Sequence, residues 1–318
     1  MSIENSKFEL KPLSDDLFPV WDDVVKCSKN GNFTHLIDFF TYHKHRFEDC
    51  SLIVYKKNKA VAVFPANQVN NKVYSHAGLT YAGLIYKSSL RTVDIIQIFN
   101  QLVEYYSNIG ANEIYYKSIP EVFTNYPASE DRYALFRLNA TLYRRDISSV
   151  ILLGNKKPRV STLRKRMIKK AKKSGVVWQE SQDINAFHDL LSETLNKTHG
   201  VNPAHSKSEL QLLYSRFPEN IKLFTATCDG DLLAGTIVYD LDHIINTQYL
   251  ASSETGRQLG ALDLILSGLI EEKYANRQYF SFGISTENDG QYLNEGLIFQ
   301  KEGFGGRGIV HDFYKLEF

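Results

Sequence analysis

Leu223-Phe-Thr-Ala-Thr-Cys-Asp-Gly-Asp-Leu-Leu-Ala-Gly-Thr-Ile-Val-Tyr239 decides how this chain is organised. Two β-prone runs flank Asp229-Gly230, a dipeptide that tolerates positive φ at both positions, so the stretch reads as a β-hairpin. An earlier stretch repeats the device, with Leu52-Ile-Val-Tyr55, the turn Lys57-Asn-Lys59 and Ala60-Val-Ala-Val-Phe64. Each hairpin leads into a further strand-like run, Lys72–His76 or His243–Leu250, and then into a glycine-containing loop. An amphipathic helix follows, over Val93–Val103 in the first half and Leu262–Ile270 in the second. A strand closes each copy, over Glu113–Lys117 and Gln278–Phe282. An element order that occurs twice points to duplication. Ser148–Leu153 reads as the opening strand of the second copy, which places domains over 1–146 and 147–318. The strand-helix-strand joints imply right-handed crossovers over one mixed sheet per domain. No low-complexity linker separates the halves, so a cleft between them is the expected place for a small-molecule site.

Composition narrows the function classes. Thirty-seven basic and 36 acidic side chains nearly cancel, so overall charge points neither to bulk nucleic acid nor to a membrane surface. Cys27, Cys50 and Cys228 are too few and too scattered for a disulfide framework or a zinc site. The N-terminus lacks the pattern of a signal peptide, and no run approaches about 18 consecutive apolar residues. The expectation is a soluble, cytoplasmic protein with reduced thiols, no metal and no membrane span; its oligomeric state is left open.

Four stretches carry a family resemblance. They are Ser161-Thr-Leu-Arg164-Lys-Arg-Met-Ile168-Lys-Lys-Ala171-Lys-Lys-Ser-Gly175, the terminal Lys301-Glu-Gly-Phe304-Gly305-Gly306, Tyr126–Leu135 with Arg144-Arg145-Asp146, and Tyr279-Phe-Ser-Phe282-Gly283. With the duplicated strand order, they resemble the FemAB-like branch of the GNAT acyltransferases over nearly the whole chain. The resemblance implies an α/β fold class, with mixed sheets in two tandem GNAT-like domains. It also implies transfer of an acyl or aminoacyl group to an amine, and a lysine, here Lys301, beside the reacting carbonyl. Arg257-Gln-Leu-Gly260-Ala261-Leu262 is similar to the family's pyrophosphate loop but ends in Leu where the pattern has Gly or Ala. No such loop surrounds Gly78 and Gly83, and the long helical arm of some tRNA-dependent members is absent.

Candidate catalytic groups are Lys301, Glu302 and His205. An ammonium at Lys301 would stabilise a tetrahedral oxyanion. Glu302 belongs to the polar stretch Ser285–Phe304, which follows a strand end, where ligands gather in α/β sheets. His205, like His199, lies in a polar loop between two expected helices and suits a base near neutral pH. Candidate substrate contacts are His76 and Tyr81 flanking Gly78, Lys117, Arg144, Arg164, Arg166, Gln248, Tyr249 and Ser285. Arg257 and Gly260, before a helix N-terminus, are the candidate contacts for an acyl-CoA pyrophosphate. The basic segment Lys156–Lys173 holds ten cations and no acid. Three readings of it stay open: a solvated helix face opposite Leu163, Met167, Ile168 and Ala171, a phosphate clamp, or a tRNA contact. The leading function is acyl or aminoacyl transfer from a small-molecule donor to an amine acceptor, an amino sugar or cell-envelope precursor. The alternatives are an aminoacyl-tRNA-dependent transferase and a non-catalytic GNAT-like binding protein.

Overall fold

Both hairpin turns take the left-handed conformation that their residues suggest. Lys57 and Asn58 have φ of 50° and 62°, Asp229 and Gly230 have 51° and 90°, and such two-residue turns match the twist of the flanking strands. The computed structural model describes residues 7–154 and 159–318, without the side chains of Thr198 and His199. Lys156 and Lys157 of the basic segment and the His199 side chain therefore lie outside the described residues.

The chain forms two units, Met1–Asp146 with Val310–Phe318, and Ile147–Ile309. The first runs β1 (Glu9–Pro12), α1 (Phe18–Lys26), α2 (Ile37–Phe40), β2 (Glu48–Asp49), β3 (Leu52–Lys56), β4 (Lys59–Phe64), β5 (Asn67–Val69), β6 (Lys72–Tyr74), β7 (Ile85–Tyr86), α3 (Thr92–Asn108), β8 (Glu113–Lys117), α4 (Glu130–Arg137) and β9 (Thr141–Leu152). β9 ends in the second unit, which continues with α5 (Thr162–Lys173), β10 (Val177–Ser181), α6 (Ile184–His199), α7 (Lys207–Arg216), β11 (Ile221–Cys228), β12 (Asp231–Asp240), β13 (Ile244–Ser252), α8 (Glu254–Leu259), α9 (Ala261–Gly268), β14 (Tyr279–Ile284), β15 (Thr286–Glu287), β16 (Tyr292–Leu293), α10 (Glu295–Gly303) and β17 (Arg307–Glu317). The closing residues Val310–Phe318, assigned to the second half by the sequence, belong with the first unit. Phe313–Glu317 pair antiparallel with β8, and Leu316 is buried in that unit's core.

In the second unit the strand order is β10-β11-β12-β13-β14-β9, with β13 and β14 parallel and the other pairs antiparallel. Successive side chains of a strand point to opposite faces. Phe224, Ala226, Ala234 and Val238 accordingly share a core with Ala261, Ile265 and Leu269. Gly235, on the other face of β12, makes room for Phe187 of α6, whose ring carbon would lie 2.6 Å from any Cβ there. A sheet covered on both faces explains why β12 is apolar almost throughout.

The first unit departs from the single sheet expected of it. β1, β3, β4 and β7 form one antiparallel sheet, while β8 pairs parallel with β6, which pairs with β5. What β13 does as one strand is divided here between two short ones: β6 runs with β8, and β7 runs with β4. Residues 75–84 span the break, and Gly83, at φ +75°, closes on the Tyr116 hydroxyl.

Two other expectations change. Ser285–Phe304 is not an open connection, because β15 and β16 form a hairpin and α10 follows, N-capped where Asn294 accepts from Leu297 N–H at 3.0 Å. The glycine-containing stretch before α9 is the short helix α8, with Gly260 as its left-handed C-cap. A Cβ on Gly260 would sit 2.7 Å from the Met167 carbonyl oxygen, so space and φ both demand glycine. Gly260→Ala should therefore cost about 2–4 kcal/mol, measured by urea unfolding. Gly230→Ala, with φ +90° but nothing within 4 Å, should cost only about 1 kcal/mol.

Candidate functional site

In the second unit, β13 leaves β14 part-way along its length. Their register runs Ile244↔Tyr279, Ile245↔Phe280, Asn246↔Ser281 and then stops. On the opposite edge of β13, Thr247 faces Val238 and Tyr249 faces Ile237, so Gln248 is the extra residue of a β-bulge. β14 is irregular at the same level: its pairing with β9 skips from Ser281 to Ile284, and Gly283 takes φ +69°. Bulges bend a strand and interrupt its ladder, and here the two strands part beyond Asn246 and Ser281. Thr247 Oγ1 donates to the Ser281 carbonyl at 3.3 Å and marks where they separate.

Lys301 closes the end of β14. From the last turn of α10 its Nζ donates to the carbonyls of Gly283 at 2.9 Å and Ile284 at 2.5 Å, and to Ser285 Oγ at 2.9 Å. Among the described residues no carboxylate pairs with it, and burial lowers its pKa to about 7. An ammonium has three N–H groups, and all three are engaged. The Ser285 hydroxyl accepts from the lysine. Ser285 is fully buried and fixed by its N–H to the Ile147 carbonyl at 2.7 Å. Phe304 packs behind against Phe282, ring centres 6.0 Å apart. Glu302, by contrast, is exposed and does not join Lys301.

His205 and Tyr249 come together beside the bulge. His205, just before α7, has Nδ1 2.5 Å from the Tyr249 hydroxyl, and its carbonyl lies 3.1 Å from His188 Nε2. Burial pushes the Tyr249 pKa up to about 12, so the phenol is the donor and Nδ1 accepts. Gln248 is half-buried in the bulge.

A groove of about 510 Å³ lies in the same unit, lined by Leu163, Arg164 and Met167 of α5, Leu250 and Ser252 of β13, Arg257, Asp263, and Leu297 and Phe299 of α10. Arg164 is held by Asp263, with Nη1 to Oδ1 at 2.7 Å. Arg257 donates to the Ser252 carbonyl at 3.1 Å and stays half exposed. Arg166, Lys165, Lys169, Lys170, Lys172 and Lys173 are exposed, so of the described cations on α5 only Arg164 turns into the groove. These residues fit an apolar chain with an anionic group near Arg257. A diphosphate on the first turn of α9 fits poorly, because Asp263 already stands there and Gly260 is packed on α5. The sequence reading missed Asp263; its signal was a lone acid within the apolar run Ala261-Leu-Asp-Leu-Ile-Leu266.

The first-unit candidates form a separate set. Lys117 Nζ donates to the carbonyls of His76, Ala77 and Leu79 at 3.2, 3.2 and 2.6 Å. Burial, aided by the Arg144 charge, lowers its pKa to about 8. Arg144 pairs with Asp146 at 2.8 Å and lies over Phe313. Tyr81 is buried against Phe123, ring centres 4.8 Å apart, and its hydroxyl accepts from Asn32 at 3.4 Å.

Residues 159–292 match the sequence family described as Acetyltransferase (GNAT) domain. The matched residues lie within the second unit. The match takes in the β13 bulge, α8, α9 and most of β14's surroundings; Lys301 and Phe304 follow it. Solved structures extend the likeness over the whole chain and show a tandem GNAT-like fold. FemX has 12% identity and a TM-score of 0.68, with 98% of this chain and 97% of that one covered. The L-PGS structure from Bacillus licheniformis has 12% identity and a TM-score of 0.63, covering 96% and 92%. A tandem GNAT protein from the clavulanic acid biosynthesis pathway has 12% identity and a TM-score of 0.53, covering 98% of each chain. Comparison with curated proteins gives no match in sequence. GNAT domains as a class bind acyl-CoA. Among the described residues no helix is long and apolar enough to cross a membrane, and no cluster of His, Cys, Asp and Glu is arranged to hold a metal.

The buried lysine beside the parted strands has a consequence for stability. Lys301 moves from 10.5 in the unfolded chain to about 7 when folded, so between those values the unfolded chain binds more protons. Its contribution to stability therefore rises with pH over that window. The unfolding free energy of the wild type minus that of Lys301→Met should become more positive as pH is raised from about 7 towards 10.5, measured by denaturant titration at several pH values.

Proposed function

We propose that the protein is an N-acyltransferase whose second unit moves an acyl or aminoacyl group from an activated ester or thioester to an amine acceptor. The observation that carries this reading is the parting of β13 from β14 beside the Lys301 ammonium. Beyond Asn246 the ladder with β14 has stopped, and the backbone N–H groups of β13 that point away from β12 are the donors we assign to polarise a donor carbonyl. When an amine attacks that carbonyl, negative charge develops on its oxygen, and preorganised donors at that point lower the barrier most. Lys301 supplies positive charge there through the Ser285 hydroxyl. The attacking ammonium must lose a proton, and the His205–Tyr249 pair beside the bulge is the acceptor we assign. The acyl chain lies in the groove between α5 and α10, with Arg257 toward the donor's anionic end. Glu302, exposed to solvent, has no step in this scheme.

The acceptor we favour is an amino sugar or cell-envelope precursor. This draws on the FemAB-like motifs around Lys301 and on the neighbours named FemX and L-PGS. Arg164 is tied to Asp263, which weakens the reading of α5 as a free phosphate clamp. The same ion pair favours a second reading, an aminoacyl-tRNA donor, over one that must seat a diphosphate at α9. Incubating the purified chain with labelled acetyl-CoA, longer acyl-CoAs or charged tRNA, with amino sugars as acceptors, separates these donors. Absence of transfer from all of them would leave the non-catalytic binding protein.

For Lys301→Met, turnover with the active donor should fall by about 100-fold while donor affinity stays within about threefold. A surface lysine would cost under about 1 kcal/mol in any readout. Turnover close to the parent's would remove Lys301 from the chemistry.

A further inference from the structure

Lys165, Arg166, Lys169, Lys170, Lys172 and Lys173 of α5 are exposed, and among the described residues none of them pairs with a carboxylate. Elsewhere in the second unit exposed cations stand beside acids, as Lys197 does with Glu193, Lys207 with Asp189 and Lys273 with Glu180. Like charges four positions apart on a helix repel, and α5 carries three such pairs, Lys165 with Lys169, Arg166 with Lys170 and Lys169 with Lys173. The helix dipole offsets this only in the last turn. An anionic partner laid along α5 relieves the repulsion over its whole length.

The cations border the apolar groove. Leu163 and Met167 line it, and Arg166 and Lys170 follow them by three positions each, so these two stand beside them on the helix surface, along the groove's lip. The α10 wall contributes Leu297 and Phe299, and the Phe299 ring is 63% exposed. Of the acids nearby, Asp263 is held by Arg164, and Glu254 lies 3.8 Å from Arg257. Glu295 and Glu302, a turn either side of Phe299, are exposed, so six cations stand against two carboxylates. A nucleic acid would use the cations and leave the aliphatic side chains Leu163, Met167 and Leu297 uncovered. An anionic lipid surface uses both, with headgroups for the cations and acyl chains for the apolar lip.

We propose that the second unit docks on anionic lipid bilayers, with the cations of α5 against the headgroups and Phe299, at the mouth of the groove, in the acyl-chain boundary. The surface stands on charge and exposure alone and does not depend on which donor or acceptor takes part in acyl transfer.

Flotation of the full chain with extruded vesicles tests it, using phosphatidylcholine alone or with about a third phosphatidylglycerol. The anionic vesicles should bind at least about 100-fold more tightly than the neutral ones, and raising salt from about 0.1 M to about 1 M should release the protein. Replacing Lys169, Lys172 and Lys173 together by Gln, which keeps helix propensity, should weaken binding by about 100-fold, at about fivefold per charge. The same exchange at Lys57 and Lys59, exposed cations of the first unit's hairpin turn, should change it by less than about tenfold. Phe299→Ser should weaken binding by about tenfold, through the loss of apolar contact. The assignment is overturned if anionic vesicles bind no better than neutral ones, if the pair at Lys57 and Lys59 costs as much as the three on α5, or if Phe299→Ser changes nothing. Binding of unfractionated tRNA that the α5 exchange abolishes, in a chain that ignores vesicles, would give the helix to RNA instead. The wild-type vesicle comparison decides the matter even where a variant does not fold.

Discussion

β13 has an antiparallel neighbour on one edge and a parallel one on the other. It is antiparallel to β12 along nearly its whole length and parallel to β14 for only three residue pairs. The extra residue at Gln248 bends the strand, and the ladder with β14 ends just before it. Beside the bulge Tyr249 meets His205, and beyond Ser281 the end of β14 pairs with β9 and no longer with β13. Lys301 holds it, with carbonyls of Gly283 and Ile284 as partners. Fixing an ammonium on neutral oxygens, without a counter-ion, depresses its pKa because burial disfavours the charged form more than those dipoles favour it.

In the first unit the corresponding strand is broken outright. β6 stays with β8, β7 stays with β4, and residues 75–84 bridge the gap. A buried lysine again gathers carbonyls at a strand end, here Lys117 on His76, Ala77 and Leu79. Beside it the Tyr116 hydroxyl receives the Leu84 N–H at 2.9 Å and donates to Asp131 at 2.6 Å. Burial raises that carboxyl to about 6, a further case of a polar group retained in the core because its hydrogen bonds are complete. The broken strand gives a loop around an aromatic cavity, whereas the bulged strand gives an open strand edge. Duplicated elements have thus produced two chemically different surroundings.

Charge is used sparingly in both units. On α5 most cations are solvated, and three of them, Lys170, Lys172 and Lys173, lie in the last turn, where the helix dipole favours them. Arg164 alone is committed, and its partner Asp263 sits in the first turn of α9, where a carboxylate is also favoured. The pair links two helices.

The hairpins, the paired helices α3 and α9, and the duplicated order were legible in the sequence because each is a local matter. Turn residues with positive φ and apolar periodicity act within a few positions of one another. The FemAB-like resemblance likewise singled out Lys301 and Phe304, whose spacing survives in the chain. What lay beyond the sequence was non-local. That Lys301 sits on a helix and exhausts its donors, that His205 meets Tyr249 across 44 positions, and that Asp263 claims Arg164 across 99 are products of packing. Gly260 shows the division at one residue. Its positive φ could be guessed from a turn, but the Met167 carbonyl that excludes a side chain there comes from a helix almost a hundred positions away, and only the closed core brings the two together.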